Sequence, residues 1–120
     1  MSGKHKTKAL VIHCIDFRFQ RQINEDLKKR QLEDQFDRIA WPGASKDFGK
    51  VSKACQLSIR LHDPDLILIY QHEDCGAYGK NNSLQTHRTN AQRLENFLRQ
   101  QKPTISITTL IATFKGIERL

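Results

Sequence analysis

Apolar residues in this chain fall either into short continuous runs or into stripes with a four-residue spacing. Ala9-Leu10-Val11-Ile12-His13-Cys14-Ile15 and Leu66-Ile67-Leu68-Ile69-Tyr70 are nearly continuous, the pattern of strands buried on both faces. Phe36 to Trp41 is another short strand-like run, stopped by Pro42-Gly43. Phe19, Ile23 and Leu27, spaced among charges, predict a narrow-faced helix over 17–32. Val51, Ala54, Cys55, Ser58 and Leu61 predict a second helix, capped at Ser45, with Asp47 in its first turn, and running to about Leu61. Pro64 prevents its continuation. Ala91, Leu94, Phe97 and Leu98 mark a third helix ended by Pro103. Thr104 to Phe114 reads as a final strand, and Gly116 offers a turn before the last four residues. The order β-α-β-α-β-α-β implies an α/β domain with a mainly parallel sheet and helices on its faces. In such sheets ligands gather beyond the carboxyl ends of strands where the strand order reverses.

At 120 residues the chain is expected to form one domain over 8–120, preceded by a flexible basic tail over 1–7. No apolar run approaches the roughly 18 residues of a membrane span, and the polar start predicts no secretory leader. Twenty Lys and Arg against thirteen Asp and Glu give a net charge of +7. The basic residues are spread along the chain without interleaved aromatics, so specific nucleic-acid binding is not expected. Three cysteines are an odd number, which argues against a disulfide framework and for the reducing cytoplasm. Cys55, on an apolar helix face, reads as core filler.

The chemistry concentrates after the first and third strands. Cys14-Ile15-Asp16-Phe17-Arg18 follows one and His72-Glu73-Asp74-Cys75-Gly76 the other. If those strands are neighbours, Cys14, His72 and Cys75 converge. Two thiolates and an imidazole suit Zn²⁺, and three protein ligands leave a fourth position open, as in catalytic zinc sites. Gly76 permits a tight bend behind the last two ligands. Asp16 and Arg18, two residues apart in a turn, can pair. A carboxylate held by a guanidinium stays ionised and can only accept hydrogen bonds, which would let it orient an attacking hydroxide. His13 alternates away from Cys14 and reads as a packing residue. His87 is a lesser candidate for relaying protons, and Tyr78 for lining the pocket.

Cys14-x-Asp16-x-Arg18, followed by His72-x-x-Cys75-Gly76, closely resembles the β-class carbonic anhydrases, and the resemblance extends over most of the chain. It implies a four-stranded sheet of order 2-1-3-4, one zinc per chain on Cys14, His72 and Cys75, and a catalytic dyad of Asp16 and Arg18. The implied activity is reversible hydration of CO2 to bicarbonate. The alternatives are a non-catalytic zinc-binding domain of the same fold, or a hydrolase of a CO2-like molecule such as CS2 or COS. The family usually carries Arg-Asn-Ala-Gly after its second strand; here Ala40-Trp41-Pro42-Gly43 stands there and only the glycine matches. Gly43 and Gly76 are therefore candidate pocket residues, with Ile15, Phe17 or Trp41 as apolar walls. The resemblance also implies a homodimer or higher oligomer. The long apolar segment Thr104 to Phe114 agrees, because at a sheet edge it would template pairing unless the third helix and the last residues cover it.

Overall fold

The first apolar run becomes β1 (Ala9–His13), all five residues of which are buried. In the computed structural model, which describes residues 5–120, β1 lies between β2 (Phe36–Ala40) and β3 (Leu66–His72) and runs parallel to both. Ala9 pairs with Phe36 on one side and with Leu66 on the other. Beyond β3 come β4 (Ser106–Thr113), parallel to it, and β5 (Gly116–Arg119), antiparallel to β4. The order is β2-β1-β3-β4-β5. Alternate residues of the central strands face opposite ways, so each strand feeds two cores. Ala9, Val11, Leu68 and Tyr70 pack against Phe19, which precedes α1 (Gln20–Lys29), and against Ile23 and Leu27 within it. Leu10, Ile12, Ile67 and Ile69 pack against Val51 and Cys55 of α2 (Phe48–His62) and Leu94 and Leu98 of α3 (Leu84–Gln101).

The expected 2-1-3-4 order is present with one strand added. Thr113 Oγ1 accepts the backbone N–H groups of Lys115 and Gly116 at 3.1 and 3.2 Å, closing a tight turn that folds the last residues back as β5. β4 is therefore an interior strand, not the exposed edge the sequence suggested. The edge belongs to β5, whose Glu118 and Arg119 are exposed charges that discourage further pairing.

Two helix starts also differ. The Asp16 carboxylate accepts the Arg18 N–H at 2.9 Å and nucleates a 3-10 turn over Phe17–Phe19, so α1 begins only at Gln20. Gly43, at φ +76°, turns the chain into a second 3-10 turn over Ala44–Lys46. The cap of α2 is in consequence Asp47, whose Oδ1 accepts the Lys50 N–H at 3.3 Å, while Ser45 is buried in the interior. Leu61, expected on the buried face of that helix, is 47% exposed.

Of the segment expected to be a free tail, residues 1–4 lie outside the described residues. Lys6 and Thr7 are tied down: Lys6 Nζ donates to Asp65 Oδ1 at 2.7 Å, and Thr7 Oγ1 to the Gln35 carbonyl at 2.7 Å. Among the described residues no helix is long and apolar enough to cross a membrane.

Candidate metal centre

β1 and β3 are neighbours, and both point their carboxyl ends at the place where the strand order reverses. Cys14 follows the last residue of β1, and His72 is the last residue of β3. After His72 the chain makes a turn through Asp74, at φ +53°, that returns Cys75 beside it. The two sulfurs and a ring nitrogen of His72 all lie within 4.8 Å of one another, and all three residues are buried. Among the described residues no other group of three such side chains converges in this way.

The donors fit a zinc ion. Two Zn–S bonds of about 2.3 Å at a tetrahedral angle span roughly 3.8 Å; Cys14 Sγ and Cys75 Sγ stand 3.9 Å apart. His72 Nδ1 donates to the Glu73 carbonyl at 2.7 Å, which aims the other ring nitrogen at the sulfurs. That Nε2 is buried and has no hydrogen-bond partner. A buried nitrogen without a partner is costly, and a metal in the cluster would satisfy it.

The electrostatics of the cluster also favour a cation. Cys14 is held well below the ordinary thiol range, first by the Cys75 thiol that donates to it, then, against burial, by His72 and the backbone N–H groups of Gly43 and Asp16. The same contact pushes Cys75 up. Burial pulls His72 down, but the Cys14 sulfur, the Glu73 carbonyl and the Asp16 carboxylate outweigh it, and the net shift is upward. A lowered Cys14 and an ionised Asp16 thus place negative charge where the three side chains meet.

Asp16 borders this cluster, with Oδ2 3.9 Å from His72 Nε2. Arg18 grips its carboxylate from one side: Nε donates to Oδ1 at 3.0 Å and Nη2 to Oδ2 at 2.7 Å. The Arg18 fork holds Asp16 down to about 2. The other edge of the guanidinium reaches the ligand turn, donating to Asp74 Oδ2 at 2.9 Å and to the Asp74 carbonyl at 2.8 Å. Ile15, Asp16, Phe17, Arg18, Asp74 and Gly76 line an open cleft over this cluster of charges.

The sequence profile of the family described as "Putative carbonic anhydrase" matches residues 4–116, nearly the whole chain. The chain belongs to this family. Two curated relatives are uncharacterized proteins of Rickettsia bellii and Rickettsia conorii. Each is 24% identical over 94% of this chain, covering 80% and 71% of the respective relative. Among solved structures, a carbonic anhydrase from Streptococcus mutans superposes with a TM-score of 0.60 at 16% identity, covering 99% of this chain and 84% of that one. A β-carbonic anhydrase of the fungal pathogen Aspergillus fumigatus superposes with a TM-score of 0.57 at 15% identity, covering 97% and 76%. The fold is thus that of the β-carbonic anhydrases.

Within this carbonic anhydrase family member, the expected pocket residues divide. Gly76, Ile15 and Phe17 line the cleft, but Gly43 and Trp41 do not. Gly43 instead donates its N–H to Cys14 Sγ at 3.3 Å, and the Trp41 indole donates to Asp47 Oδ2 at 2.8 Å. Tyr78 is buried against Cys14 and Cys75. His13 is a buried brace: Nδ1 donates to the Cys14 carbonyl at 2.8 Å, and Nε2 accepts from Arg38 at 3.1 Å. Sequence reasoning passed over Asp74 as a partner of Arg18. Its place in the turn between His72 and Cys75, two candidate metal ligands, was the available signal.

Proposed function

We propose that this chain catalyses the reversible hydration of CO2 to bicarbonate, with one zinc ion held by Cys14, His72 and Cys75. One observation carries the reading. In a chain of the carbonic anhydrase family, two thiols and an unpartnered His72 Nε2 converge beside a carboxylate locked by Arg18. A zinc ion held there would supply Lewis acidity, which lowers the pKa of a water from 15.7 towards ~7.

The chain's own residues do the positioning. Cys14, His72 and Cys75 would hold the metal by three protein ligands, the number found in catalytic zinc sites. Asp16, ionised down to about pH 2, only accepts hydrogen bonds. Standing beside His72 Nε2, its Oδ2 would accept a hydrogen bond from the attacking oxygen and so turn that oxygen's lone pair towards the CO2 carbon. Arg18 keeps the carboxylate from rotating, and because it also holds Asp74 it ties that orientation to the ligand turn. As the new C–O bond forms, one C=O electron pair moves onto oxygen. Bicarbonate results, and the proton removed from water passes to buffer. Ile15 and Phe17 give the apolar CO2 a surface to rest against.

The reading includes assembly. Ile15 and Phe17 are 55% and 85% exposed at the mouth of the cleft. A second copy of the chain that covered them would dry the cleft and remove an exposed apolar patch. Three free cysteines suit a reducing compartment such as the cytoplasm.

The test is Asp16→Asn. The amide can donate a hydrogen bond, so it no longer enforces one orientation on the attacking oxygen. Zinc content should stay at one per chain while CO2 hydration falls ~10²–10⁴-fold. Unchanged hydration would refute the role given to Asp16.

A further inference from the structure

The turn between His72 and Cys75 is steered by residues that bind nothing themselves. Asp74 sits in the left-handed region at φ +53°, a conformation that costs a non-glycine residue free energy unless its neighbours hold it. Asn82 is placed to hold it. Of the two orientations of its amide, one satisfies every neighbour. In that orientation the carbonyl oxygen accepts the N–H of Asp74 at 3.0 Å and of Cys75 at 3.1 Å, while the NH2 donates to His87 Nε2 at 2.7 Å.

His87, buried at 2% exposure, continues the chain of hydrogen bonds inward. Its Nδ1–H donates to Gln71 Oε1 at 2.9 Å, and the Gln71 NH2 donates to the Ser45 hydroxyl. Tyr78 donates to the same Gln71 oxygen at 3.2 Å and stacks on His87 with ring centroids 4.0 Å apart. Donors and acceptors alternate without a break, which fixes His87 as the neutral Nδ1–H tautomer. Burial favours the same form, lowering its pKa to about 4. With both nitrogens committed, His87 is not arranged to relay protons, the lesser role suggested by its sequence position. What it does is hold the Asn82 amide so that its oxygen faces the turn.

We propose that Asn82, oriented by His87, is a positioning residue for Cys75 and sets how tightly the Cys14–His72–Cys75 cluster holds its metal. The inference rests on those three residues being metal ligands. A residue that orients a ligand in this way typically contributes 10–100-fold to metal affinity.

The test uses metal-free protein and two probes. Zinc affinity is measured by competition with a chromogenic chelator, and bound cobalt(II) is read by its thiolate charge-transfer absorption. Wild type should take one equivalent. Asn82→Ala should bind zinc about 10–100-fold more weakly and shift the cobalt band. His87→Leu should weaken binding in the same direction. His87→Gln keeps a donor for Gln71 and an acceptor for Asn82, and should restore affinity to within about threefold of wild type. A role in stability alone would lower the urea midpoint and leave the affinity and spectrum of the folded protein unmoved. A folded Asn82→Ala with wild-type affinity and cobalt spectrum would overturn the proposal. If Asn82→Ala does not fold, the His87 pair decides, and equal wild-type affinity in His87→Leu and His87→Gln would overturn it. Wild type that takes no metal would overturn the ligand assignment and this proposal together, whereas metal-binding wild type with unaffected variants would overturn this proposal alone.

Discussion

Gly43→Ala tests whether the loop after β2 is built around the cluster. Gly43 has φ +76°, and a Cβ added there would stand 3.1 Å from the Ala77 Cβ and 3.2 Å from the Lys46 Cβ. Left-handed backbone costs an L-residue ~1–2 kcal/mol. The two close contacts demand small shifts of neighbouring backbone, which brings the expected loss to about 1.5–3 kcal/mol. Unfolding entropy of about 2.1 cal/mol/K per residue gives roughly 0.25 kcal/mol/K for a chain of 120 residues. Tm should therefore fall by roughly 6–12 °C in a calorimetric scan. Because the Gly43 N–H donates to Cys14 Sγ, zinc affinity should fall as well, about tenfold. Gly49→Ala is the control of opposite sign. It lies in α2 with nothing within 4 Å of the added Cβ, and should hold or raise Tm. If Gly43→Ala unfolds within a degree of wild type and keeps its zinc affinity, the positive φ and the close approach to Ala77 are not constraints and the reasoning fails.

Cys75→Ser should lose stoichiometric zinc by elemental analysis, while Cys55→Ser keeps it, because Cys55 is fully buried in the α2 core with its thiol pushed up to about 12. Full metal in the first variant, or loss in the second, would reassign the site. Acid should destabilise the fold through His87. The ring is neutral in the folded chain down to about pH 4, whereas in the unfolded chain it protonates near 6.5. The unfolded state thus binds more protons between those values, and the stability due to this site falls as pH drops through that window. The urea midpoint of wild type should approach that of His87→Gln between pH 7 and pH 5, and a gap that widens instead would contradict the buried neutral ring. Light scattering at micromolar concentration should give a mass above the 13.9 kDa of one chain. A monomer with full CO2 hydration activity would show that Ile15 and Phe17 need no second copy.

The parts of the site legible in the sequence were those carried by strand ends. Continuous apolar runs marked β1 and β3, but that the two are neighbours, so that Cys14, His72 and Cys75 converge, was implied only by the resemblance to the β-class carbonic anhydrases. Asp16 and Arg18 were legible because a two-residue spacing in a turn suffices for pairing. The rest depends on contacts that local pattern does not encode. Ser45 has the chemistry of a helix cap, but the left-handed Gly43 diverts the chain into a 3-10 turn and passes the cap to Asp47. β5 is too short and too charged to read as a strand; what forms it is the turn that Thr113 closes. Gln71 lies just beyond the apolar run Leu66–Tyr70 and is polar, yet it extends β3 and sits at the centre of a buried network. Asn82 looks like an ordinary loop residue until the turn at Asp74 brings two backbone N–H groups to its amide.

The most direct measurement is stopped-flow CO2 hydration by protein carrying one zinc per chain, followed with a pH indicator. The account predicts a rate above that of buffer which scales with bound zinc and disappears in Cys75→Ser. Protein that carries one zinc per chain on these ligands and hydrates CO2 no faster than buffer would contradict it.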